Sequence, residues 1–154
     1  MNRIPTFLRR AGVLAAGCCL AFAAAADEVK VIATGAFQPV VAAIAPTFEK
    51  RTGHKLALVN DTEGALAERI RSGEDFDLAV LPQPLLEALG KEGAVSDGSI
   101  VALARARAGR PEPTVYAGAV STSASNSQAA LSLLILLASE ETQAVLGRNG
   151  LSAP

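Results

Sequence analysis

Tryptophan is absent from this chain, tyrosine and histidine each occur once, and aromatic residues make up only 4% of it. With 50% of residues hydrophobic, a core must be assembled from Ala, Val, Leu and Ile. The scarcity of histidine also limits the chemistry. His54 stands between a glycine and Lys55 with no convergent ligands in view, so no metal site is expected. One histidine, no G-x-S-x-G elbow and no cysteine beyond Cys19 leave no nucleophilic triad. No catalytic residue and no cofactor is therefore assigned. A hydrolase working through Asp61 and Glu63 alone is the enzymatic alternative.

Cysteine is confined to Cys18 and Cys19, both inside an amino-terminal leader. Arg3, Arg9 and Arg10 precede an apolar stretch, Ala11 to Ala23, that is too short to span a membrane. Ala23-Ala24-Ala25-Ala26 then offers cleavage sites for a signal peptide, and residues 1–26 are read as that peptide, with export to the periplasm. Lipid anchoring at Cys18 is the lesser alternative, because the residues after it remain apolar. Cleaved near Ala26, the remaining 27–154 would hold no thiol for a disulfide. Without the three leader arginines, the 14 basic residues fall to 11 against 15 acidic ones, a net charge of −4. Such an acidic remainder is a poor partner for nucleic acid. Leu131 to Ala138 is the longest apolar run after the leader and reads as a buried helix face, not a span.

What is present is an alternation of strands and helices, which predicts an α/β fold with a doubly wound, mostly parallel sheet. Val29 to Ala33 reads as the first strand. A helix over 38–52 follows, with Pro39 in its first turn, a kink expected at Pro46, and Gly53 as a left-handed cap. Lys55 to Val59 reads as a second strand. A helix capped by Asp61 or Thr62 then runs to Ser72 and stops at Gly73. Phe76 to Leu81 is the third strand, Pro84 to Gly90 a helix and Ser99 to Ala104 a fourth strand. The breaker-rich 108–113 forms a connector. Beyond it come a strand over 114–120, a helix over 128–137 and a short helix over 140–147. Glu74, Asp75 and Asp77 read as a solvated loop running into a strand.

Parallel strands feeding helices bring the intervening turns together at the carboxyl edge of the sheet. Two such turns, Thr34-Gly35-Ala36 and Thr62-Glu63-Gly64, are the candidate ligand-binding residues. Open N–H groups at helix starts make that edge a cradle for anions. Each residue also has a structural reading. Thr62 caps a helix, Glu63 suits the first turn of one, and Thr34 and Gly35 make a tight bend.

Several blocks resemble the first lobe of periplasmic molybdate-binding proteins. They are Val31-Ile32-Ala33-Thr34-Gly35-Ala36-Phe37, Phe48-Glu49-Lys50-Arg51-Thr52-Gly53, Gly64-Ala65-Leu66-Ala67-Glu68-Arg69-Ile70 and Phe76-Asp77-Leu78-Ala79-Val80-Leu81. Gly98 to Arg105 is similar to the stretch leading towards the hinge of that family. Val115 to Ser121, Leu136 to Leu146 and Gly150-Leu151 are similar to its carboxyl-terminal segment. The resemblance implies a solute-binding protein of an ABC importer, with two α/β lobes that close on an oxyanion and deliver it to permease and ATPase subunits. Two departures follow from the same alignment. The second lobe is missing, with only the 108–113 connector where it would lie, which implies a single lobe over 27–154. The family's ligand-contacting serines fall at Ala36 and Glu63, so the solute is an oxyanion or another small molecule. Arg105, Arg107 and Arg110 form a loose basic patch at the junction. A vestigial or interaction protein that binds no ligand, associating through the exposed cleft face, is the alternative.

Overall fold

The first strand is apolar on both faces, as a strand in the middle of a covered parallel sheet must be. A computed structural model describes residues 27–107, 109 and 111–154, so the expected leader lies outside the described residues. Strand β1 (Glu28–Thr34) is buried from Val31 onward. It pairs in parallel with β2 (Lys55–Asp61) on one side and with β3 (Leu78–Pro82) on the other. Strand β4 (Val101–Ala106) and strand β5 (Thr114–Val120) complete a five-stranded sheet of order β2-β1-β3-β5-β4. β5 runs antiparallel to both β3 and β4, so four strands point one way and β5 alone points back.

Helices cover both faces. Helices α1 (Gln38–Thr52), α4 (Ser127–Leu137) and α5 (Glu140–Arg148) pack on one side, over Val29, Val31, Ala33, Leu78 and Val80. Helices α2 (Glu63–Arg71) and α3 (Gln83–Lys91) pack on the other, over Ile32, Ala79, Leu81, Ala117 and Ala119. The period-two alternation of the strands thus splits the apolar residues between two cores. This is the doubly wound α/β lobe that the alternation of elements predicts.

α1 follows its predicted bounds, with Gly53 left-handed at φ 78° and its N–H on the Glu49 carbonyl. Pro46 lies within a single helix rather than dividing it. Pro46 and Ala42 are both exposed, so water can take the carbonyl that a proline at i+4 cannot serve. The departures are local. β3 starts at Leu78, after Phe76 and Asp77, and β4 starts at Val101, after a 3₁₀ turn over Asp97–Ser99.

Asp77 is not solvated: it is 2% exposed. Its carboxylate accepts the Lys30 N–H at 2.9 Å and the Asn126 N–H at 2.9 Å, joining β1 to the start of α4. Its neighbour Glu74 accepts from the Arg69 guanidinium and from Lys30 Nζ at 2.9 Å. These contacts hold the Glu74 carboxyl at about 2, well below its ordinary 4.5, with the Arg69 hydrogen bond the largest cause and Lys30 next. The apolar face of α4 also differs from expectation. Leu133, Leu134, Leu136 and Leu137 are buried, but Leu131 and Ile135 point outward, Ile135 with 63% exposure. The helix is apolar all round, so periodicity alone cannot say which stripe meets the sheet. Among the described residues, no single helix is long and apolar enough to cross a membrane.

Candidate functional site

The parallel register of β1 and β2 sets the site. Thr34, the last residue of β1, is paired with Asp61, the last of β2, so both strands leave the sheet at one level. After Thr34 the chain bends through Gly35 and Ala36, closed by the Phe37 N–H on the Thr34 carbonyl at 2.9 Å. Phe37 is buried under this bend, and α1 begins with Pro39 in its first turn. After Asp61 the bend is shorter. The Asp61 carboxylate accepts the Thr62 N–H at 2.7 Å, and Thr62 Oγ1 accepts the Ala65 N–H at 3.3 Å to cap α2. A side-chain bond from Asn60 Nδ2 to Gln38 Oε1, 3.0 Å, ties the end of β2 to the start of α1.

These bends enclose a shallow cleft of about 420 Å³ lined by Thr34, Gly35, Ala36, Asp61, Thr62, Glu63, Gly64 and Tyr116. All six residues singled out from the sequence therefore lie around one opening. Two observations sharpen its chemistry. Thr34 is 3% exposed, and its hydroxyl is buried without a hydrogen-bond partner among the described residues. A buried hydroxyl left in that state costs about 1–3 kcal/mol, so a group that completes it gains that much. The start of α2 brings partial positive charge to the same edge through Glu63 and Gly64, while the Ala65 N–H is taken by Thr62 and Pro39 leaves α1 with no N–H at that position.

The side chains at the rim carry the opposite sign. Glu63 is the first residue of α2, where its charge favours the helix. Asp61 lies 3.9 Å from Arg69 Nη1, which offsets part of its charge. Among the described residues, no lysine, arginine or histidine lines the cleft. A second hollow of about 490 Å³ adjoins it, walled by Pro82, Pro84, Pro113 and Val115 with Gln83, Glu87 and Thr114, and Glu63 borders both.

Tyr116 was not among the residues read as ligand-binding. Sequence pattern suggests packing for it, and its ring does pack, 5.7 Å centroid to centroid from Phe37 at 51°. Its hydroxyl also reaches the cleft and donates to Glu63 Oε1 at 3.5 Å, a long contact. The antiparallel pairing that sets Tyr116 opposite Pro82 places it there, and no local signal in the sequence announces that pairing. His54 lies elsewhere, its Nδ1 3.2 Å from the Asp27 carbonyl. No cluster of three or more histidine, cysteine or carboxylate groups suited to a metal occurs among the described residues.

Comparison with known proteins places this architecture. The sequence pattern of the bacterial extracellular solute-binding proteins matches residues 29–109. The fold is similar to that of the periplasmic molybdate-binding protein of Azotobacter vinelandii, with a TM-score of 0.75 at 13% identity over 82% of this chain and 100% of that one. It is similar to a substrate-binding domain assigned to a molybdenum ABC transporter from Clostridium difficile, with a TM-score of 0.74 at 13% identity over 83% of this chain and 99% of that one. The sulfate-binding protein SubI of Mycobacterium tuberculosis H37Rv gives 0.68 at 11% identity, over 82% and 87% of the two chains. At such identities the likeness establishes the fold and leaves the ligand open.

Proposed function

Because this chain belongs to the bacterial extracellular solute-binding proteins, we propose that it is the exported solute-binding component of an ABC importer. The reading rests on one observation above the others. The Thr34–Ala36 and Thr62–Gly64 bends share a cleft, and one residue lining it, Thr34, has a buried hydroxyl without a partner among the described residues. The mechanism is passive capture. A small solute settles on the helix starts, satisfies Thr34, and is handed to a permease with no bond made or broken.

The ligand residues in this reading are Thr34, Gly35, Ala36, Thr62, Glu63 and Gly64. Ala36 and Glu63 stand where the molybdate-binding pattern has hydroxyls, which weakens the case for a bare oxyanion. A carboxylate a few ångströms from a dianion opposes it by roughly several kcal/mol in a partly dry site. The cleft is also open on one side. In the proposed reading it is half of a clamp whose other jaw would lie where the 108–113 connector runs, so affinity is low unless another surface closes over it.

A thermal-shift screen with molybdate, tungstate, sulfate and amine-bearing solutes tests the proposal, with cell fractionation as the check on export. A rise in melting midpoint with one class, at ligand well above its Kd, is the expected result. No response to any class, together with a mass that grows with concentration in light scattering, would favour the alternative of an interaction protein. The openness of the cleft is the observation on that side.

A further inference from the structure

The cleft has mixed polarity, and that feature restricts what can occupy it. The start of α2 favours negative charge, whereas Glu63 and Asp61 favour positive charge. A simple anion meets the carboxylates, and a simple cation meets the helix start. Resting on the import reading, we propose that the solute is a compact zwitterion. Glu63 holds its ammonium group, and Thr34 with the Gly35–Ala36 bend holds its anionic group.

The two carboxylates are not equivalent. Asp61 is engaged within the fold, one oxygen on the Thr62 N–H at 2.7 Å and the other 3.9 Å from Arg69 Nη1. Glu63 keeps only the long 3.5 Å contact from Tyr116 among the hydrogen bonds of the described residues, and so has capacity for an ammonium. Thr34 lines the same opening at 3% exposure, and its Oγ1 has no partner among the described residues, so a carboxylate oxygen that reaches it would complete it. The adjoining hollow begins at Glu63 and is walled by Pro82, Pro84, Pro113 and Val115. An aliphatic substituent beside the ammonium group has an apolar wall to meet there, so branched α-amino acids should bind better than glycine.

The test is isothermal titration of the purified protein with glycine, L-valine, methylamine, acetate, molybdate and sulfate, with circular dichroism as the folding control. L-valine should bind more tightly than glycine, and methylamine and acetate should each bind at least about tenfold more weakly than glycine. Glu63→Gln should weaken L-valine by about tenfold or more, and Thr34→Val should weaken it while Thr34→Ser retains binding. Molybdate or sulfate binding that is unchanged or improved in Glu63→Gln, with no response to L-valine in the wild type, would overturn the zwitterion and leave the import reading standing. Silence from all six solutes would count against both.

Discussion

Thr34 and Glu74 show how much a single side chain can carry here. A hydroxyl buried without a partner is a standing cost to the empty protein, so replacing it with an isosteric methyl should help the fold. Thr34→Val is expected to raise stability in urea by about 1 kcal/mol while removing the proposed ligand contact. A loss of stability instead would mean that the hydroxyl already has a partner in solution. Glu74 sets an acid limit. Its carboxyl in the folded protein lies at about 2, below its ordinary 4.5, because it accepts from Arg69 and Lys30. A depressed carboxyl stabilises the fold above its unfolded value, and that contribution is lost as pH falls from about 4.5 towards about 2. Urea midpoints measured across this window should decline less steeply in Glu74→Gln than in the wild type.

Among the elements, α4 and β5 meet at a glycine. A Cβ on Gly118 would stand 2.5 Å from Leu134 Cδ1 and 3.1 Å from Leu103 Cδ1, so the bare backbone of β5 is what lets the helix approach. Gly118→Ala should cost about 1–3 kcal/mol in urea unfolding, and combined with Leu134→Ala it should cost less than the sum of the two single losses. This coupling also explains what could be read from the sequence. The order of the elements was legible because Gly53 and Gly73 stop helices and the apolar spacing changes period on either side of them. That two bends would meet at one edge was legible for the same reason, since each lies between a strand-like run and a helix start. The stripe of α4 that faces inward was not legible, because it depends on a glycine in another element. Asp77 looked like a loop acid because its acceptor role is completed by Asn126, 49 residues away. Tyr116 escaped notice on similar grounds: only the pairing of β5 with β3 brings it to the cleft.

For the whole molecule, one sheet separates two apolar layers, and every strand between the outer two contributes to both. Neither layer can open without exposing the sheet, so unfolding should be a single transition. The absence of tryptophan makes this easy to check, because Tyr116 is the sole tyrosine and reports from the cleft rim. Its fluorescence and the far-ultraviolet circular dichroism should change at the same urea concentration. Separate midpoints would indicate that the cleft rim loosens before the layers do. The reversed direction of β5 has one more result. β4 finishes and β5 begins at the carboxyl edge, so their junction falls beside the proposed solute cleft rather than at the far end of the sheet. A guest domain spliced in at that junction would be suspended over the proposed solute site, making the crossing a natural place to engineer a lid or an optical sensor.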